Sequence, residues 1–389
     1  MRGRRHLAFM GLVWGVMPVS LTAFTFASPA RRVHFAGDFH YAFWPAARSV
    51  LRGMSPYVDP SSPVVTHATA FVYPAVAAVL LAPFGLLPHG TGDMTFAVLN
   101  IIAALLTLRV LEVRDWRLYG LTMLSAAVYS GWTLANVSLM LALGLALCWR
   151  YRERPAVAGL LTALLVSVKL FLWPLALWLL ATRRYAALAY AVAGALALNL
   201  AAWALLGFDE LARYMHLLRA LDVAEEARGF SLVSLARHAG LGRTESYALM
   251  LALGAGVCVA CVALGRRGRD LAALAIATGL CLLATPIVQL HYFALLAVPL
   301  ALARPRLSAA WSLPIVMWIC GSTRPVTWQI AAALALASAM VAVAVRRRPV
   351  ARVPGLRSKV SGQLPGPAKL DVGLVPPRES SVAVGVGGR

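Results

Sequence analysis

Long apolar stretches recur along almost the whole chain, each closed off by arginines, and that alternation leaves few folds open. They lie near residues 7–27, 93–111, 118–133, 135–149, 155–168, 170–182, 185–206, 247–264, 270–286, 287–303, 307–321 and 326–345. A helix needs about 20 apolar residues to cross ~30 Å of hydrocarbon, so the pair within 155–182 is expected to be tilted or shielded by neighbours. Composition points the same way. Of 389 residues, 60% are apolar and 13% charged, against about 45–50% and about 25% in soluble domains. A set of soluble domains, a disordered chain and a disulfide-stapled secreted domain are all excluded. The expected fold is all-α and polytopic, a bundle of about twelve transmembrane helices over residues 1–345, followed by a basic tail over 346–389.

The formal net charge of +21 does not indicate nucleic acid, because the cations sit in short clusters between apolar stretches. Arginine clusters of that kind mark the cytoplasmic ends of membrane helices. Arg109, Arg114 and Arg117; Arg150, Arg152 and Arg154; Arg183 and Arg184; Arg266, Arg267 and Arg269; Arg304 and Arg306; and Arg346 to Arg348 all fall on the inside if both termini are inside. This holds only if Tyr73 to Leu87, bounded by Pro74 and Pro88 and carrying Pro83, inserts partly without crossing. The five cysteines lie in apolar segments, and the Cys258/Cys261 pair has no second pair or nearby histidine. They read as packed thiols.

Two large outer loops result, 28–92 and 207–247, and most of the 15 acids lie in or beside them. Any chemistry is therefore expected outside. The tail, rich in Pro, Gly and Arg, reads as a disordered cytoplasmic segment beside anionic lipid. No acid falls at the middle of a span, which argues against an ion-coupled transporter.

The polar residues that stand out are few. Lys169, in Val168-Lys169-Leu170-Phe171, is the only lysine before Lys359. A buried ammonium requires an anion, here a donor phosphate, unless the side chain snorkels to the interface. Asp38 lies among Phe39, His40, Tyr41, Phe43 and Trp44, residues suited to the water–lipid boundary. Pro45 suits the first turn of a following helix and Gly53 its end. His291, at the outer start of a span, is open to orienting a sugar, assisting a leaving phosphate or simply resting at the interface, and Arg324 is a further outward cation near a span end, a candidate for the phosphate. His34, Asp38 and His40 have a spacing open to a metal, but loop spacing of this kind is weakly specific. No metal ligand set is assigned.

The run Asp38…Tyr41…Leu51-Arg52-Gly53-Met54-Ser55-Pro56-Tyr57, then Tyr73-Pro74 and Pro83-Phe84-Gly85-Leu86-Leu87-Pro88, resembles the opening of glycosyltransferase family 87. Lys169 with Pro174, and Thr285-Pro286 with His291-Tyr292, are similar too. The resemblance spans roughly residues 10 to 345. It departs at Ala135-Asn136-Val137-Ser138, where the family often has G-Q-x-N, and at Gly229-Phe230-Ser231, where it often has N-Q-S.

The resemblance implies a GT-C architecture and a mannosyltransferase that uses polyprenyl-phosphate-mannose. Asp38 is then the general base and His291 its partner in catalysis. Lys169 and Arg324 are on the donor phosphate, and His40, Tyr41, Tyr57 and Tyr73 contact substrate. It implies an integral protein of the cytoplasmic membrane with its site facing outward. Its partners are the lipid-linked donor, a glycolipid or glycan acceptor and membrane lipid, with no resident cofactor; a divalent metal is left open. The rivals are a flippase of lipid-linked sugars, which needs the cations but not the carboxylate, and a different GT-C transfer with the same base.

Overall fold

The computed structural model describes residues 11, 15–20, 35–67, 69–225, 228–322 and 324–347. The described residues are all-helical, without a strand, and belong to one unit that runs to Arg347. All but a few residues of the first expected span lie outside the described residues, as do His34 and the basic tail from residue 348 on.

Four helices are long and apolar enough to cross a bilayer: His89–Val110, Tyr185–Leu206, Arg243–Arg266 and Thr327–Val345. Each matches its expected stretch to within about one helical turn. A fifth path is Ala126–Thr133 with Ser138–Arg150, whose axes meet at 119°. The other expected spans are shorter or broken, for visible reasons. Ser125 is extended (ψ 139°) and its hydroxyl donates to the Thr122 carbonyl, a local bond that competes with the helix. The 118–133 stretch therefore becomes two short helices. Pro174, Pro299 and Pro314 sit at or inside the starts of the short helices Pro174–Ala181, Ala297–Ala303 and Leu313–Val316, each preceded by a 3-10 segment. The 75–86 segment is a shorter apolar helix, below the length needed to cross.

Helices that face lipid should present apolar side chains outward. Leu196, Leu200 and Leu205 on Tyr185–Leu206 are 60%, 58% and 73% exposed. The opposite face of that helix packs closely on Pro155–Val168. A Cβ at Gly159 would lie 2.4 Å from the Ala187 carbonyl oxygen and 2.5 Å from Tyr190 Cβ, so only glycine lets these backbones approach. Small residues of this kind are what draws helices together in lipid. Gly159→Ala is expected to destabilise by about 1–3 kcal/mol, read as a lowered thermal midpoint in detergent.

The arginine clusters meet at one end. Asp270 accepts from Trp178 Nε1 at 2.8 Å and from Arg184 Nη1 and Nη2 at 3.0 and 2.8 Å, and pairs with Arg152 at 3.2 Å. Two clusters, through Arg152 and Arg184, are thereby gathered on one carboxylate. Asp115 accepts from Arg117 and from the Leu307 amide, each at 2.8 Å. Arg117 holds the Asp115 carboxyl down at about 2.

From this end Pro155–Val168 and Asp270–Leu283, of 14 residues each, run toward Lys169 and His291. Ser138–Arg150, of 13 residues, runs between Asn136 and Arg150. At about 1.5 Å per residue they separate the arginine end from those residues by roughly 20 Å.

Candidate active site

Asp38 is positioned through its backbone. Ala36 N donates to the Thr133 carbonyl at 2.7 Å and Asp38 N to the Leu134 carbonyl at 3.0 Å. This lays the segment against the bend between Ala126–Thr133 and Ser138–Arg150. Ala36 (φ 56°) and Ala135 (φ 52°) are both left-handed, at about 1–2 kcal/mol each for a residue with a Cβ. Strain of this kind persists only where the surroundings over-determine the backbone. Here it brackets Asp38 and Asn136.

Phe39–Phe43 then forms a π-helical turn that leads into Trp44–Leu51. Pro45 lies in the first turn of that helix and Gly53 (φ 67°) just past its end, as expected. Phe39 and Phe43 are buried, with Phe39 stacked on Phe96 at 4.7 Å. The aromatic side chains thus anchor the turn while Asp38 points elsewhere.

The Asn136 amide connects the site. Its oxygen accepts from the Ser138 amide at 3.0 Å and the Ser138 hydroxyl at 2.7 Å. Its nitrogen is therefore turned outward and donates to both Asp38 Oδ2 and Tyr73 Oη, the latter at 3.0 Å. Tyr73 Oη also accepts from Lys169 Nζ at 3.1 Å. Lys169 sits where Pro155–Val168 gives way to the 3-10 turn Leu170–Leu172. Its ammonium lies 3.7 Å from the centre of the Tyr292 ring, 4.8 Å from Tyr73 and 5.5 Å from Phe171, within cation–π range. Asp38, Asn136, Tyr73 and Lys169 thus form one connected polar chain. Burial raises the Asp38 carboxyl above its usual range, against the pull of the Asn136 hydrogen bond and the Lys169 charge.

Asp38, Tyr41, Tyr73, His291 and Arg324 line a single cavity of about 500 Å³, within the ~300–1,000 Å³ common for ligand pockets. Asn136, His67, Glu225, Arg228 and Gln289 line it too. His291 is 3% exposed and neither ring nitrogen has a hydrogen-bond partner among the described residues. Buried polar atoms are nearly always partnered, so this imidazole is open to a ligand. Glu225 accepts from Arg228 at 3.3 Å, and Arg228 also donates to the Thr66 carbonyl at 3.0 Å, which ties the 207–247 segment to the first loop. Burial raises the Glu225 carboxyl, against the Arg228 charge. Arg324 is exposed at the cavity wall.

Three of the sequence candidates lie elsewhere. Lys169 sits behind the wall rather than on it. Tyr57 packs among Phe71, Trp203 and Tyr214 and donates to the Tyr73 carbonyl at 3.1 Å, so it braces Tyr73 instead of facing the cavity. His40 turns toward Asp93 and His89, while Asp38 pairs with Asn136. Sequence reading passed over Asn136 and Glu225. A lone asparagine in an apolar run was the available signal for the first; the i,i+3 pairing with Arg228 was all that marked the second.

Two carboxylates, an open imidazole and two guanidinium groups lining one cavity, within a helical protein whose apolar helices suit a multi-pass membrane protein, make a site suited to group transfer. The model of glycosyltransferase family 87 matches residues 71–286, more than half of the chain, and the chain belongs to that family. It is a glycosyltransferase. The matched stretch holds Tyr73, Asn136, Lys169 and Glu225; Asp38 lies before it and His291 after it. No curated protein and no solved structure matches the chain.

Proposed function

We propose that this glycosyltransferase moves a mannosyl residue from polyprenyl-phosphate-mannose to a hydroxyl of a glycolipid or glycan at the outer face of the cytoplasmic membrane, with Asp38 as general base. The observation that carries this reading is the Asp38 carboxylate, fixed by Asn136, in the same cavity as His291, which has no hydrogen-bond partner among the described residues. A sugar phosphate ester is already a good leaving group, whereas an acceptor hydroxyl is a poor nucleophile. Asp38 takes the hydroxyl proton as the acceptor oxygen bonds to the anomeric carbon. The bond from that carbon to the phosphate oxygen breaks, and the polyprenyl phosphate leaves with the electron pair. Displacement inverts the anomeric carbon, so a β-linked donor gives an α-mannoside.

Charge that develops on the departing phosphate calls for fixed cations or donors. Arg324, Arg228 and His291 supply them at the cavity wall. Lys169 is assigned to Asp38 rather than to the phosphate. A lipid-carried donor needs no nucleotide-binding sheet, and this transfer is written without a resident cofactor. The broken and shortened helices are read as completing the path of about twelve crossings.

The outward orientation rests on charge. The site lies roughly 20 Å along three helices from the end where the arginines gather, and arginine-rich ends are retained in the cytoplasm. Single cysteines introduced at Asp59 and Arg267 are expected to label with an impermeant thiol reagent from outside and inside, respectively; the reverse pattern overturns the orientation. The reaction itself is tested by incubating membranes that contain the protein with labelled polyprenyl-phosphate-mannose. Label is expected in a lipid or glycan product as an α-mannoside. Label that stays wholly on the polyprenyl carrier overturns the reading.

A further inference from the structure

One cluster of side chains beside the cavity has no part in the transfer chemistry. His89 and Asp93 stand at i and i+4 on the helix His89–Val110, so both project from the same face. The π-helical turn brings His40 against them. His40 Nδ1 lies 2.8 Å from Asp93 Oδ2, and His89 Nε2 lies 3.0 Å from the His40 carbonyl oxygen. The two imidazole rings face each other at 3.7 Å with 12° between their planes. One ligand atom from each of the three residues falls within 4.8 Å of the others.

The hydrogen bonds in this cluster leave one group unsatisfied. Asp93 is 8% exposed, and its second oxygen, Oδ1, is buried without a hydrogen-bond partner among the described residues. An uncompensated carboxylate oxygen out of water is costly, and a bound cation removes that cost. The donor set selects the cation. Two imidazoles and one carboxylate suit Zn²⁺ and its borderline neighbours, at about 2.0–2.2 Å per ligand atom. Mg²⁺ and Ca²⁺ take oxygen ligands instead. Trp44 stacks on His89 at 4.1 Å and walls the cluster on one side, while the His40 side chain is 36% exposed and leaves the cluster open to solvent.

We propose that His40, His89 and Asp93 bind one zinc-class divalent ion, which staples the segment that carries Asp38 to the start of the helix His89–Val110. The ion touches neither the cavity nor the reacting atoms, so the proposal stands whatever sugar is transferred. The third ligand enters from His40, two residues beyond Asp38, and the staple fixes the base by fixing its backbone. The i, i+4 pair was visible in the sequence; the approach of His40 across 53 residues was not.

The test uses the full-length protein in detergent, stripped with a chelator, desalted and titrated with ZnCl₂ alone. Saturable binding of one Zn²⁺ per chain is expected. Asp93→Asn and His89→Ala are each expected to weaken it by about tenfold or more, and His216→Ala, at an exposed histidine elsewhere, to leave it unchanged. No saturable binding, or equal binding in all variants, overturns the site and leaves a plain His40–Asp93 ion pair. If the variants do not fold, Co²⁺ added to the wild-type protein decides the matter. A ligand-field spectrum distinct from aqueous Co²⁺, and bleached by one equivalent of Zn²⁺, is expected. An unchanged aqueous spectrum overturns the proposal.

Discussion

Asp38→Asn is expected to reduce mannosyl transfer in membranes by about 10²–10⁴, the usual contribution of a positioned general base, while expression and the KM for the donor stay near wild type. The substitution is isosteric. Its side-chain amide can present oxygen to the Asn136 nitrogen, so the hydrogen bond that positions the residue survives and only the proton-accepting charge is lost. The backbone bonds from residues 36 and 38 to the 133–134 carbonyls do not involve the side chain, so the fold is expected to hold. A thermal midpoint within a few degrees of wild type, alongside the lost rate, separates chemistry from folding. Transfer within a few-fold of wild type rejects Asp38 as the base. The measurement also weighs the flippase rival, because a protein that only moves lipid-linked sugars has no use for this carboxylate.

What the sequence made legible follows from how local each signal is. The helices Tyr185–Leu206 and Thr327–Val345 read out almost to the residue, because an uninterrupted apolar run between arginine and glycine, or between proline and arginine, admits one secondary structure. The helix after Asp38 was legible for a similar reason: Pro45 and Gly53 are punctuation within ten residues of each other.

Elements whose length depends on breaks read as unbroken stretches in the sequence, and their breaks do not show there. The positive-φ Ala135, with no glycine to announce it, and the Ser125 hydroxyl bonded back to the end of the preceding helix leave no pattern in hydropathy. In the site, Asp38 stood out by its aromatic neighbours, but its partner did not. Asn136 lies 98 residues away, and pairing at that separation is fixed by helix packing. Tyr57 was placed with the substrate by its motif, and its real contacts are Trp203 and Tyr214, residues distant in the chain. Lys169 stands out in the sequence as needing an anion; its hydrogen bond to Tyr73, and through Tyr73 and Asn136 its link to Asp38, depend on the same long-range packing.

That relation gives the second large effect. Asp38 must be ionised to accept a proton, and its carboxyl is raised by burial and restrained by Asn136 and Lys169. Activity is therefore present above the raised pKa and falls as pH drops through it. Lys169→Met keeps the unbranched apolar stem of the side chain, one atom shorter, so it retains most of the packing near Tyr73, Phe171 and Tyr292 while it removes the charge. The carboxyl then rises further and the acidic limb of kcat/KM moves to higher pH. Below that limb, each unit of displacement costs about tenfold in rate, or about 1.4 kcal/mol, and alkaline pH restores part of the loss.

Asn136→Ala acts in the same direction by removing the hydrogen bond, and it also frees Asp38 to rotate, so alkaline pH restores less. Lys169→Arg keeps the charge but must fit a planar guanidinium among three rings, so it is expected to shift the limb little and to lower activity at every pH. A different outcome marks the other role for this lysine. If its ammonium served the donor phosphate, Lys169→Met would raise the KM for polyprenyl-phosphate-mannose and leave the acidic limb in place. A pH profile of kcat/KM for wild type and the three variants, with KM for the donor measured at each pH, decides between a cation that tunes the base and one that holds the leaving group.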